Sequence, residues 1–205
     1  MPSHIKASPP VTAQERYPTE NDNCLEKRCA NGWVSDARRC ESPHFNARPL
    51  NEVSMLVIHN ISLPAGCFGK SYIDQLFNGC LDVSADPSFI DLKGLEVSAH
   101  FLIRRDGELV QYVSCDERAW HAGVSSYGTR EGCNDFAIGI ELEGTDTLAY
   151  TEQQYLELKT LTLALFDAYP MLNTDRVVGH CDIAPGRKTD PGESFDWQRF
   201  KKDLS

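Results

Sequence analysis

The chain has 205 residues and a formal charge of −10, with 41% hydrophobic and 24% charged residues. That length builds one well-buried core and leaves little for a second full domain. The acidic balance argues against a nucleic acid or an anionic membrane as the main partner, and no stretch approaches the roughly 18 consecutive apolar residues of a membrane span.

Residues 1–23, MPSHIKASPPVTAQERYPTENDN, are proline-rich and carry almost no apolar periodicity. They read as a disordered leader, and without the apolar run of a secretory signal the chain reads as cytoplasmic. Eight cysteines are scattered through a sequence that can build a core without staples, so reduced thiols are expected. Cys24 and Cys29 lack a second close pair to complete a four-thiolate zinc site. From about Gly32 the pattern becomes that of a folded domain. The expected division is an N-terminal extension over 1–31 and one domain over 32–205, a monomer.

The first strong element is EVSMLVIHN (52–60), a short β-branched run of the kind found in buried strands, ending near His59. VSAHFLIRRDGELVQYVS (97–114) predicts a β-hairpin turning at Asp106-Gly107, since glycine tolerates the positive φ of a tight turn. NDFAIGIELEG (134–144) predicts another strand, with Ile138, Ile140 and Leu142 on one face and Gly139, Glu141 and Glu143 on the other. YTEQQYLELKTLTLALFDAYP (150–170) predicts a helix. Thr151 and Gln154 form a capping box, Leu158, Leu161, Leu165, Phe166 and Tyr169 make the core stripe, and Pro170 stops it. RVVGH (176–180) predicts a short buried strand ending at His180, and SFDWQRFKKDL (194–204) a closing helix. The expected fold is α/β (mixed α+β), a single domain with a central mixed β-sheet flanked by helices.

Two strands that end on histidine, His59 and His180, bring two imidazoles to a shared cleft. With an acid-rich loop after the second, GHCDIAPGRKTDPG (179–192), they point to a zinc site completed by a carboxylate. Strand alternation turns Cys181 to the opposite face, as core packing, and Asp182 to the side of His180. Asp190 returns eight residues later, its backbone restricted by Pro191. Asp190 is a candidate ligand, with Asp182 as its rival or as an acceptor behind a ligand. Three protein ligands leave zinc a position for water, and hydrolysis then needs a proton acceptor and a cation near the oxyanion. Glu141 and Lys188 are the candidates; their plain alternatives are a solvated strand carboxylate and a solvent-facing lysine.

VIHNISLP, VSAHFLIRRDGELVQYV, RAWHAGVS, CNDFAIGIELEGTD and GHCDIAPGRKTDPG, in that order, closely resemble the cytoplasmic N-acetyl-anhydromuramyl-L-alanine amidases of Gram-negative cell-wall recycling. These belong to a wider group of zinc amidases that share a fold with peptidoglycan-recognition proteins and a phage lysozyme. The resemblance runs from about Gly32 to Leu204. It implies one zinc ion on His59, His180 and Asp190, which selects Asp190 over Asp182. It makes Glu141 the residue that orients and deprotonates water, and Lys188 the one that stabilises the tetrahedral intermediate. Asn60, Trp120 and His121 resemble substrate-pocket residues, and His100 a core or supporting residue. The implied reaction is hydrolysis of the amide between the lactyl group of 1,6-anhydro-N-acetylmuramic acid and L-alanine, with a small-molecule muropeptide as partner.

Arg104, Arg105, Arg118, Arg130 and Lys188 are expected to offset the overall charge near an acidic peptide, although Glu96 replaces an arginine that many members carry before VSAH. Three other readings compete. A binding module that has lost catalysis would lack a metal ligand, and none is missing. A glycosidase on Glu141 and Glu143 leaves both histidines unexplained. A thiol hydrolase on Cys181 requires the thiol to share the face of His180.

Overall fold

The structure, a computed structural model, describes residues 29–204. The expectations for the leader and for Cys24 lie outside the described residues.

Six strands form the central sheet: β1 (Arg38–Arg39), β2 (Met55–Ile61), β3 (Phe101–Ile103), β4 (Leu109–Gln111), β5 (Ala137–Glu143) and β6 (Val177–Gly179). Their spatial order is β6-β2-β5-β3-β4-β1. β6, β2, β5 and β3 run parallel, while β3 and β4 are the antiparallel hairpin expected around Asp106-Gly107. Gly107 has φ +91°, and the Asp106 carboxylate accepts from the Glu108 N–H at 3.0 Å, so the dipeptide makes the turn for the reason the sequence gives. A small hairpin pairs Cys29–Ala30 with Trp33–Val34. The expected boundary between 31 and 32 falls inside it.

Among the described residues four α-helices follow in chain order: α1 (Tyr72–Phe77), α2 (Glu152–Ala168), α3 (His180–Ile183) and α4 (Trp197–Asp203). The α2 capping box is present as expected: the Thr151 side chain accepts from the Gln154 N–H, and the Gln154 side chain accepts from the Thr151 N–H, both at 3.1 Å. Leu158, Leu161 and Leu165 are fully buried against Leu56, Ile58, Ile138 and Ile140 of the sheet. Each such leucine contributes about 1.5–3 kcal/mol by leaving water.

Alternation then dictates the second face. Met55, Val57, Ala137 and Val178 point away from α2 and pack with Cys133, Phe136 and Ile183. His59 and Glu141 share the parity of Met55 and Ala137. They stand on the face opposite α2, beneath the loops that follow β4 and β6.

Candidate metal centre

Register places the reactive groups at one level. In the parallel ladder Glu141 is the partner of His59, and Gly179 is the partner of Ile58, so His180 comes abreast of His59. The carboxyl ends of parallel strands are where open α/β sheets expose such groups. His59 lies within β2, two residues short of its end, and His180 opens α3. This corrects the expectation that both histidines terminate strands.

The correction has consequences for the neighbours of His180. In a helical turn, Asp182 folds back to accept the Gly179 N–H at 2.7 Å, so it stabilises the turn and leaves the cleft to Asp190. Cys181 is half-buried rather than core packing, and burial pushes its thiol pKa up. That suits an inert thiol better than a nucleophile. The backbone N–H of Cys181 donates to the Asp190 carbonyl at 3.0 Å, and the Tyr150 hydroxyl donates to the Pro191 carbonyl at 2.7 Å. Gly192, at φ +84°, comes so close to Asp146 that a Cβ would lie 2.1 Å from its Cα. The loop is thereby clamped on both sides of Asp190.

His59, His180 and Asp190 converge, with all three ligand atoms within 4.8 Å of one another. The two Nδ1 atoms are 2.9 Å apart, and Asp190 Oδ2 is 3.1 Å from that of His59 and 3.0 Å from that of His180. His180 Nε2 faces the Ala122 carbonyl at 3.1 Å and must donate to it, which leaves a lone pair on Nδ1. That lone pair meets a carboxylate oxygen, so two acceptors face each other across a gap that a cation fits. Burial lowers the His59 pKa to about 4, keeping it a neutral ligand. Burial opposes ionisation of Asp190, but the neighbouring His180 and His59 rings outweigh it and hold the carboxyl well below its usual range. Two neutral imidazoles and one anion are a donor set for a divalent ion.

Glu141 is 8% exposed, and its Oε2 is buried without a hydrogen-bond partner among the described residues. Desolvation, and secondarily the charge of Asp190, raise its pKa well above the ordinary value. The alternative of a solvated strand carboxylate is therefore excluded. Lys188 is exposed in the same loop as Asp190, and its charge acts on both Glu141 and His59. Glu143, two residues from Glu141, accepts from the Gly69 N–H at 2.7 Å and the Arg105 N–H at 3.2 Å, and faces Arg104 at 3.5 Å. Held this way, it is no partner for a two-carboxylate glycosidase site.

The remaining expected residues separate. Asn60 donates to Asp146 at 2.8 Å, and the half-buried Trp120 stacks on His44 while its Nε1 donates to Asn46. His121, expected in the pocket wall, turns its Nδ1 to His59 Nε2 at 3.0 Å. Its ring occupies the space that a side chain at Gly139 would fill. His100 is structural: its Nδ1 accepts the Gly139 N–H and its Nε2 donates to the Glu117 carbonyl. Arg104, Arg118 and Arg130 are ion-paired, with Glu108, Asp135 and Glu52 among their partners, and Arg105 donates to the Ala149 carbonyl. This corrects the expectation of one cationic patch. Sequence reasoning missed Asn134, which accepts the N–H groups of His121 and Ala122, and Arg187, which donates to the carbonyls of Ala122 and Val124. Neither carries a spacing signal, because their partners are backbone atoms.

Fold and site together define a class: mixed-sheet proteins with a pocket of two histidines and one carboxylate beside a buried acid. The chain belongs to the N-acetylmuramoyl-L-alanine amidase family, whose model matches residues 49–193. It is 61% identical over 171 residues to the 1,6-anhydro-N-acetylmuramyl-L-alanine amidase AmpD of Citrobacter freundii, covering 83% of this chain and 91% of that protein. The crystal structure of a selenomethionine AmpD derivative superposes with TM-score 0.84 at 59% identity, covering 86% of this chain and 98% of that one. A further neighbour is the Escherichia coli N-acetylmuramyl-L-alanine amidase AmiD in complex with the substrate anhydro-N-acetylmuramic acid-L-Ala-D-gamma-Glu-L-Lys. It has TM-score 0.55 and 27% identity, with 87% of this chain and 65% of that one covered.

Proposed function

We propose that this protein hydrolyses the amide joining the lactyl group of 1,6-anhydro-N-acetylmuramic acid to L-alanine in muropeptides, as a zinc enzyme of peptidoglycan recycling in the cytoplasm. The observation that carries the proposal is the convergence of His59, His180 and Asp190 at the level of the buried Glu141, whose Oε2 has no hydrogen-bond partner among the described residues. Similarity to AmpD over most of both chains supports the substrate. Exposed thiols at Cys67 and Cys80 suit a reducing compartment.

His59, His180 and Asp190 hold the ion, since an N₂O set with space for water is the pattern of catalytic rather than structural zinc. Zinc bound there supplies Lewis acidity to the reacting carbonyl and to water. Glu141 accepts the proton of the attacking water, the role of a carboxylate placed at the level of the ligand set. Water oxygen bonds to the lactyl carbonyl carbon, the C–N bond breaks, and the proton held by Glu141 goes to the departing alanine nitrogen. Lys188 balances the charge gathering on the carbonyl oxygen. Trp120 and Asn60 form part of the wall against which the sugar and peptide are positioned.

Mass spectrometry of a defined anhydromuropeptide digested with and without a zinc chelator tests the proposal. The expected products are free peptide and anhydro-N-acetylmuramic acid, formed only without chelator. Cleavage at a sugar–sugar bond, or unchanged cleavage with chelator, overturns it.

A further inference from the structure

Beyond the groups that face the cleft, both candidate ligand histidines present their second nitrogen to consecutive residues. His59 Nε2 meets His121 Nδ1 at 3.0 Å, and His180 Nε2 meets the Ala122 carbonyl at 3.1 Å. Those two residues are themselves held by one atom. Asn134 Oδ1 accepts the His121 N–H at 3.1 Å and the Ala122 N–H at 2.8 Å. Two N–H donors converging on the amide require its oxygen there, which fixes its orientation.

We infer that His121 and Ala122, pinned by Asn134, act as one bracket that sets the tautomer and aim of both imidazoles in the candidate metal centre. A ligating imidazole needs its metal-facing nitrogen free of hydrogen, and the surest way is to engage the other N–H with an acceptor. Ala122 supplies a carbonyl and His121 a ring nitrogen, so each histidine keeps its Nδ1 lone pair for the cleft.

The bracket is anchored from three directions. Asn134 is 7% exposed and lies in the turn that leads into β5, and its own carbonyl accepts from Arg48 NH1 at 3.1 Å. The His121 ring rests over Gly139, where a Cβ would fall 2.4 Å from Cγ, so glycine at that strand position lets the ring reach His59. Arg187, from the loop that carries Asp190, donates to the Ala122 carbonyl at 2.7 Å and the Val124 carbonyl at 2.6 Å. The third candidate ligand is thus tied to the bracket that orients the first two. His121 and Asn134 are positioning residues: their effect reaches the reaction through His59 and His180.

The inference rests on the metal reading of the preceding section, and the test separates the two. Zinc affinity is measured by competition with a chromogenic chelator, and imidazole tautomers are read by ¹⁵N NMR of the metal-free protein. His121→Phe keeps an aromatic ring over Gly139 and removes the acceptor; zinc affinity is expected to fall about 10–100-fold. His121→Asn, which returns an acceptor near the position of Nδ1, is expected to recover most of that loss. Asn134→Leu is expected to weaken zinc and to mix the tautomers of both His59 and His180, with Asn134→Asp restoring them. If Asn134→Leu fails to fold, the His121 pair decides. Wild-type affinity in His121→Phe, or a wild-type His180 protonated on Nδ1 in the metal-free protein, overturns the bracket. Wild-type protein that binds no zinc overturns the metal reading instead, and the tautomers still decide the bracket.

Discussion

Glu141 and Glu143 lie two residues apart on the same face of β5, both buried, and they live in opposite surroundings. Glu143, 1% exposed, accepts two backbone N–H groups and faces the Arg104 guanidinium, which also reaches Asp74 and Glu108. Glu141 has an oxygen with no partner among the described residues, faces a cleft lined by three acceptors, and has its pKa raised by burial. A buried charge that is fully paired locks neighbouring elements together. One left unpaired is retained at a cost in stability, and that cost marks where chemistry is done.

The comparison is broken most severely at the cleft. His59→Ala or Asp190→Ala removes one of three candidate ligands, and each is expected to abolish zinc retention on gel filtration. Turnover should fall by roughly 10³-fold or more, the scale of several kcal/mol of transition-state stabilisation. Retention of stoichiometric zinc by either variant would contradict the ligand set.

Glu141→Gln sharpens the contrast, because it splits activity from stability. Zinc is expected to stay bound while kcat drops about 10²–10⁴-fold. Burial raises the Glu141 pKa, so the folded chain keeps this proton over a range where the unfolded chain has lost it. Folding stability from this group therefore falls as pH rises from the unfolded carboxylate value, about 4.3, through the folded one. The neutral amide removes that loss, and metal-free Glu141→Gln should melt higher than wild type at pH 8, with the difference shrinking toward pH 4. An unchanged kcat would refute the proton-accepting role.

Arg104→Ala applies the same logic to the paired carboxylate. It leaves Glu143 buried without its cation and should lower unfolding free energy by about 3 kcal/mol in a denaturant titration, with kcat per folded molecule unchanged. A large fall in kcat with intact stability would mean that the two regions are not separable in the way described.

Local periodicity was enough to find β2, the β3–β4 hairpin, β5, α2 and α4, because alternation, capping residues and a glycine turn are encoded within a few positions of the element they define. The short strand Arg38–Arg39 and helix Tyr72–Phe77 were not legible, since elements that short take their form from what they pack against. For the site, the sequence offered His59, His180, Glu141 and Lys188 as candidates, with the resemblance choosing Asp190 over Asp182, and the structure brings His59, His180 and Asp190 together. The strand expectation misdirected Cys181 and Asp182, because the chain bends into a helical turn one residue earlier than alternation assumed.

The sequence by itself determined the residue types, the strand parity that puts His59 and Glu141 on one face, and the family motifs. Tertiary structure alone decided that Glu141 is buried and Glu143 neutralised, that Arg104, Arg118 and Arg130 are ion-paired, and that the His121 ring meets His59. Burial and hydrogen-bond partners depend on segments far apart in the chain, and a side chain's neighbours at that distance leave no periodic trace in its own stretch of sequence.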